Sequence, residues 1–298
     1  MLPRANPSGV TVSLQPVLWS VIGAITAVDL VWGAAAGLSI EGWWKPLVAA
    51  ALLLSIAWLY GRRSRILADA AHMASLWICF TAAGWVLTYL AATCARPLQD
   101  GTLASMDQAL GFDWLAWRNA VAAHRALYAG LFLAYASLMV QTIASVLILP
   151  ALGETGRCAE LLLLAAVTLG PTTLIAAAYP VLGPFAAFNV GDLEYLPHVL
   201  ALRAPGPWNF DISEMLGIVT MPSYHTVLAV LFTYAFRNTG LIGWMIAGIN
   251  GAMLLSIPPI GGHYLVDVLV GGTIAVLCVM ASRIVANLNR PKTQFQPT

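Results

Sequence analysis

Residues 264–284 read YLVDVLVGGTIAVLCVMASRI, a run in which Asp267 and Arg283 are the charged residues. A run of about 20 apolar residues is long enough to cross the hydrocarbon core of a bilayer as a helix. The whole chain of 298 residues has the same character, with 60% hydrophobic and 9% charged residues. Because a bilayer offers no water to pair with backbone amides, helices are the economical way to cross it. The sequence therefore predicts an all-α, polytopic membrane protein.

We predict about eight membrane spans from the apolar runs. Their approximate bounds are 17–38, 45–60, 70–94, 126–149, 158–182, 225–236, 241–256 and 264–284. Residues 1–69 would form a two-span N-terminal anchor, residues 70–287 a six-helix membrane core, and residues 288–298 a cytoplasmic tail. The first residues lack the basic start and small-residue cleavage site of a signal peptide, so we expect the first span to stay as an anchor.

Lysine and arginine placement predicts the orientation. The side that holds both termini carries more basic residues, mostly in short loops, than the opposite side, where the loops are longer. Basic residues in short loops are typical of the cytoplasmic face. Both termini are therefore expected in the cytoplasm, and a bacterial inner membrane is the expected location. A net charge of +1 without a basic stripe gives no sign of a nucleic-acid partner, and we expect none.

Two histidine clusters lie where apolar helices are expected to begin, and both fall on the extracytoplasmic side. The first is Met221-Pro222-Ser223-Tyr224-His225, and the second is Gly262-His263-Tyr264-Leu265-Val266-Asp267. Histidine near a membrane span is costly unless it faces a polar cavity or a partner, so these residues are candidate functional residues. A packing histidine is the plainer interpretation of either one taken alone.

The spacing of the second cluster indicates acid–base or nucleophilic chemistry. His263 and Asp267 are four residues apart, so on a helix they share one face. A carboxylate on one imidazole nitrogen leaves the other free as a nucleophile or base. His225 would follow Ser223, a good N-cap residue, and a helix N-terminus favours an anion. A protonated His225 there would be a general acid, and the whole set would suit phosphoryl transfer.

Metal binding is the competing chemistry, because two histidines and an aspartate are a reasonable ligand set. The sequence holds no His-Glu-x-x-His pattern, and nearby acidic residues are not at ligand spacing. We therefore expect no metal site and no cofactor, and the lack of a nucleotide-binding loop argues against ATP as a donor.

Two long loops fall on the same predicted side as the histidines. Residues 95–125 have the spacing of a short amphipathic helix at the membrane interface, with Trp114 and Trp117 as aromatic-belt residues. Residues 183–222 include the aromatic residues Tyr195, Trp208 and Phe210. Long loops of this kind are commonly lids or binding loops, so a lid over the histidine clusters is our first interpretation.

The two clusters resemble the type 2 phosphatidic acid phosphatase superfamily of membrane lipid phosphatases and phosphotransferases. Its second signature, Pro-Ser-x-His, is matched by Pro222, Ser223 and His225, and its third, Ser-Arg-five-His-three-Asp, by Ser256, His263 and Asp267. The resemblance covers the last six spans and implies a six-helix phosphatase-type core. It implies that His263 forms a phosphohistidine, Asp267 orients it, His225 protonates the leaving group and Ser223 helps to hold the phosphate.

The basic residues of the family pattern are missing. Ile257 stands where the third signature has arginine, and the first signature, Lys-six-Arg-Pro, is not intact. Arg96 precedes Pro97, but Tyr89 stands at the lysine position. Arg203, two residues before Pro205, lies closer to the expected order along the chain, with Leu196 at the lysine position. A phosphate needs cationic or N–H donors, so Arg96, Arg203 or both are candidates for substrate binding. A headgroup-facing arginine is the alternative for each.

The chain lacks these basic residues but keeps both histidines and the aspartate, and in this it is similar to the inositol phosphorylceramide synthase branch of the superfamily. That likeness implies transfer of a phosphoryl group or phospho-headgroup from a membrane lipid to a lipid alcohol. A lipid phosphate phosphatase, with water as acceptor, is the alternative, and a non-enzymatic lipid transporter or scaffold is a minor one. The lipid headgroup and the oligomeric state stay open.

Overall fold

The computed structural model describes residues 14–288 of the chain, and it is nearly all-α. The predicted tail therefore lies, from residue 289 onward, outside the described residues. Twelve helices are present in the described part; in chain order they are α1 Gln15–Ala36, α2 Trp44–Tyr60, α3 Arg65–Thr93, α4 Asp100–Ala109, α5 Trp114–Ala123, α6 Arg125–Ala151, α7 Thr155–Ala178, α8 Pro184–Phe188, α9 Leu196–Arg203, α10 Tyr224–Ala235, α11 Leu241–Gly261 and α12 Leu265–Leu288.

Within residues 14–288, six helices are long and apolar enough to cross a membrane: α1, α3, α6, α7, α11 and α12. The other two predicted spans are also helices, but α2 has 17 residues and α10 has 12. At 1.5 Å per residue, α10 is about 18 Å long, which is shorter than the hydrocarbon core. The prediction of an all-α polytopic membrane protein is confirmed, although α10 by itself does not span.

The main hydrophobic core lies where α3, α7 and α10 meet, with α1 packed on the outside of α3. Its largest buried side chains include Met73 of α3, Leu162 of α7 and Phe232 of α10. Local sequence fixes several helix boundaries. Ser64 caps α3 by accepting from Leu67 N, and Gly37 ends α1 in the left-handed conformation at φ 81°. Helix α3 therefore begins at Arg65, five residues before the predicted span.

A short parallel sheet, absent from our prediction, ties the N-terminal helices to the predicted lid. Strand β1 (Leu38–Glu41) follows α1, and strand β2 (Trp208–Asp211) lies in the long loop, with Leu38 opposite Trp208. Lys45 at the start of α2 adds an ion pair to Asp211 at 2.9 Å. The loop of residues 183–222 is thus built from α8, α9 and β2, and it is anchored to residues that precede the core.

The first long loop also differs from the prediction. It contains two helices, α4 and α5, where we expected one at the interface. Trp114 is buried, donates from its indole Nε1 to Pro258 O at 3.0 Å, and stacks on Phe188. Its assignment to an aromatic belt was wrong, because the side chain packs inside the protein, between the end of α11 and α8.

Candidate active site

The break between α11 and α12 places His263. Helix α11 ends at Gly261, and Gly262 adopts the left-handed conformation at φ 67°, which turns the chain sharply. A Cβ atom at Gly262 would lie 2.6 Å from Cδ2 of Phe185, so a larger residue has no room there. His263 follows in this break and is 5% exposed. It precedes α12, whereas we expected His263 and Asp267 to share one face of a helix.

The hydrogen bonds of His263 define which ring nitrogen is free. Its Nδ1 lies 2.8 Å from the carbonyl oxygen of Thr220 and 3.5 Å from Oδ2 of Asp267. A carbonyl can only accept, so Nδ1 carries the proton and donates to Thr220. Nε2 is then the unprotonated nitrogen. The sequence missed Thr220, because a backbone carbonyl has no signature in the side-chain pattern.

Asp267 is fully buried and has two roles in the local structure. Its Oδ2 accepts from Tyr264 N at 2.9 Å, which holds the turn that carries His263, and its carbonyl accepts from Ser223 N at 3.1 Å. The carboxylate is thus in contact with the imidazole while it also closes the start of α12. The bond between Ser223 N and the Asp267 carbonyl joins the two histidine clusters directly.

The first cluster opens α10. Ser223 is fully buried and caps the helix, since its Oγ accepts from Thr226 N at 3.4 Å. His225, in the first turn, stacks on Tyr135 of α6 with ring centroids 4.4 Å apart and an interplanar angle of 11°. The stacking fixes the plane of the imidazole. Gly261 permits this arrangement, because a Cβ there would lie 2.6 Å from the Tyr135 ring.

His225 and His263 line the same cavity, which has a volume of about 470 Å³. The walls come from α3, α6, α10 and the end of α11, and residues 217–220 of the predicted lid close one side. Tyr195 of the same loop also lines it and donates to the Leu182 carbonyl at 2.7 Å. Among the described residues that line the cavity, none is lysine or arginine. The lining is mainly aromatic and aliphatic, with a few hydroxyl groups.

The sequence profile of the PAP2 superfamily matches residues 101–281, which is more than half of the chain. The chain belongs to the PAP2 superfamily. No curated protein and no solved structure matches it. Membership supports a phosphatase or phosphotransferase type of activity on a lipid phosphoester. The matched segment contains both histidine clusters, and it begins after α3, later than the start of the core that we predicted at residue 70.

The two residues that we set against basic positions of the family signatures are both buried, and Tyr89 precedes the segment that the PAP2 profile matches. Ile257 is fully buried and packs with Ala229 and Met253, so its position has no polar environment. Tyr89 is also fully buried; its hydroxyl lies 2.7 Å from His198 Nδ1 and accepts from Leu216 N. The tyrosine thereby holds the lid loop against α3. Neither side chain supplies a charge to the site.

Neither candidate arginine reaches the histidine cavity. Arg96 is exposed, and its carbonyl oxygen accepts a hydrogen bond from Nη2 of Arg203 at 2.8 Å. Arg203 borders a small neighbouring cavity together with Thr220, whose carbonyl holds His263. The structure therefore brings together four of the six predicted site residues, Ser223, His225, His263 and Asp267, and leaves the two arginines outside. Within residues 14–288, no group of three His, Cys, Asp or Glu side chains is arranged to hold a metal ion.

Two aspartates of α4, which the sequence analysis did not select, hold the backbone around the site. Asp107 is 2% exposed, and its carboxylate accepts from Leu265 N at 2.8 Å and from Val266 N at 3.0 Å. Asp100 accepts in the same way from Leu182 N and Gly183 N. Burial raises the pKa of Asp107, and the two backbone N–H groups offset part of that rise. Asp100 and Asp107 are seven residues apart, which is two helical turns, and this spacing was the feature of the sequence that could have identified them.

Proposed function

We propose that the chain is an integral-membrane phosphotransferase that acts on a lipid phosphoester through a phosphohistidine. Nε2 of His263 attacks phosphorus, and the bond from phosphorus to the lipid oxygen breaks. His225 gives its proton to the leaving alkoxide. A lipid alcohol then attacks the phosphohistidine, loses its proton to His225, and leaves His263 free again. This reaction is of the inositol phosphorylceramide synthase type.

One observation carries the proposal: Nδ1 of His263 is held by the Thr220 carbonyl while His225 lines the same cavity. The fixed tautomer presents Nε2 as the nucleophile without a loss of orientation on substrate binding. Asp267, with Oδ2 at 3.5 Å, stabilises the positive charge that develops on the imidazole. His225 is the acid, because it lies in the first turn of α10 beside the same space.

The phosphate needs compensation for its charge, and the cavity lining contains no lysine or arginine in the described part of the chain. Ser223 caps the N-terminus of α10, so the positive end of the helix dipole lies next to His225. Of the two candidate cations, Arg203 borders a small cavity that Thr220 also lines. The carbonyl oxygen of Arg96 accepts a hydrogen bond from Arg203. We propose Ser223 as a phosphate ligand and the two arginines as cations that approach on substrate binding.

Transfer to an alcohol is favoured over hydrolysis by the surroundings of the histidines. The lid contributes Tyr195 and residues 217–220 to the cavity, and β2 is paired with β1 beside it. A mostly apolar cavity disfavours water behind the phosphohistidine. A lipid phosphate phosphatase is the second candidate, because the covalent step is the same. We further propose cytoplasmic termini, an extracytoplasmic active site in a bacterial inner membrane, and an anchor–core–tail division near residues 69 and 287.

The test uses purified protein in lipid nanodiscs with phosphatidic acid or phosphatidylinositol and a lipid alcohol. Mass spectrometry follows new phospholipids, and a phosphate assay follows hydrolysis. The His263→Ala variant should lose turnover and phosphohistidine labelling, whereas His124→Ala, which changes an exposed histidine, should keep both. A new phospholipid that depends on His263 supports the transferase, and free phosphate alone makes the protein a phosphatase. Turnover that survives in His263→Ala refutes the mechanism, and the absence of turnover in the wild type favours the transporter or scaffold.

A further inference from the structure

A second cavity, of about 610 Å³, lies in a groove over α3 between α2 and α6. We call it the α3 groove. Its floor includes Ala70, Ala71 and Ala74, whose small side chains leave space that larger residues would fill. Its lining is almost entirely apolar. The α2 wall and the α3 floor both precede the segment matched by the PAP2 profile, which begins at residue 101. The groove is therefore built largely by parts of this chain that lie outside the matched segment.

The α3 groove adjoins the histidine cavity. Both cavities are lined by the same five residues at their junction, namely Trp77, Thr81, Trp85, Met139 and Thr142. Trp77 is 6% exposed, and its indole Nε1 has no hydrogen-bond partner, so the junction contains an unused buried donor. These shared residues place the groove directly beside the space in front of the histidines.

The length and the openness of the groove indicate what it can hold. From Trp85 to Leu67 the floor covers 18 residue steps of α3, which is about 27 Å at 1.5 Å per residue, close to the roughly 30 Å of a hydrocarbon core. Its rim is exposed to the bilayer at Ile56, Ile143 and Leu147. A long, apolar and laterally open channel suits a hydrocarbon chain that enters from the membrane.

We propose that the α3 groove binds the hydrocarbon tail of the phosphate-bearing lipid substrate while its phosphate lies at His263. This proposal rests on the proposed function for the position of the phosphate. Helix α2 would then form one wall of the tail site, and the N-terminal helices would take part in substrate selection. The groove makes long-chain lipid phosphoesters the substrate class, because only a long tail fills it along its whole length.

The test is a chain-length comparison with a variant that blocks the groove. Ala74→Phe places a ring seven residue steps from Thr81, about 10 Å along the helix from the junction. The control, Ala27→Phe, makes the same change on the exposed surface of α1. Turnover of dioleoyl and dioctanoyl phosphatidic acid is measured in nanodiscs. We expect Ala74→Phe to lower kcat/KM for the dioleoyl substrate about tenfold or more, because the ring fills space that the long chain occupies, and to leave the dioctanoyl value within about twofold of the control.

Equal loss for both chain lengths, or no loss for either, overturns the tail site while leaving the phosphotransferase mechanism intact. A second measurement does not depend on turnover or on the folding of a variant. Wild-type protein is irradiated with phosphatidic acid that carries a diazirine at the end of one chain, and labelled peptides are mapped. Labels within residues 53–56 and 143–147 support the groove. Labels confined to the surface between α10 and α12 refute it, even if the wild type turns over no substrate.

Discussion

Asp107 offers the sharpest test of how the site is positioned. Its buried carboxylate accepts from Leu265 N and Val266 N at the start of α12, immediately after His263. Asp107→Ala leaves both backbone N–H groups without their acceptor. An unpaired buried donor costs about 1–3 kcal/mol, and loss of a helix N-cap costs about 0.5–2 kcal/mol. Because both estimates describe the same N–H groups, they are not added, and we expect the variant to lose about 1–3 kcal/mol of unfolding free energy.

The same change should reduce activity as well as stability. The start of α12 holds Asp267 and ends the turn that carries His263, so a shift there moves the nucleophile relative to His225. Displacement of a catalytic group by about 1 Å can cost on the order of 10²-fold in rate. We expect kcat for Asp107→Ala to fall by about that factor, with KM changed less. Asp107→Asn keeps one carbonyl acceptor and should lie between the wild type and alanine.

A matched control separates this effect from ordinary loss of a helix cap. Asp113 accepts from Ala116 N at the exposed N-terminus of α5, so Asp113→Ala removes a cap without uncovering buried donors. Thermal unfolding and initial rates in nanodiscs are compared for the wild type, both alanine variants and Asp107→Asn. The reasoning is refuted if Asp107→Ala matches Asp113→Ala in both midpoint temperature and kcat.

Three further predictions follow from the site and from the lid. Asp267→Asn should lower kcat by about 10²-fold or more, because the amide cannot stabilise a charged imidazole, and near-normal rates would disconnect the carboxylate from His263. EDTA should leave initial rates unchanged, and a loss of activity that zinc restores would establish a metal site. The hydrogen bond from the Ser213 hydroxyl, the hydrogen bond from Lys45 and the hydrogen bond from Ser213 N lower the pKa of Asp211 to about 2. Its contribution to holding the lid is therefore present above the ordinary carboxyl pKa near 4 and is lost as pH falls toward 2. Lys45→Ala should remove part of that acid dependence, because Ser213 still donates to the carboxylate. Protease cleavage within residues 183–222 between pH 2 and 6 measures it, and an unchanged profile would exclude the pair as a cause.

The pattern of apolar runs was enough to predict the helices of the membrane core, because a helix satisfies its backbone hydrogen bonds within its own segment. The same locality explains why Ser223 could be assigned as the cap of α10 from its position before an apolar run. The bounds were less accurate where a local cap decides them, as at Ser64. The sheet of β1 and β2 was not predictable, since its two four-residue strands lie far apart in the chain.

The sequence by itself determined the class of protein, and its motifs pointed to the four residues that meet at the site, since membrane helices and short motifs depend on neighbouring residues. The tertiary structure decided how those residues are used. In the folded chain, Nδ1 of His263 donates to the Thr220 carbonyl, and Asp107 holds the start of α12. Arg203 lies outside the histidine cavity, and the α3 groove lies beside that cavity. Each of these features depends on a backbone group or on an empty space between segments that are distant in the chain. Backbone groups and empty spaces leave no pattern in the order of side chains, so the sequence could not predict them.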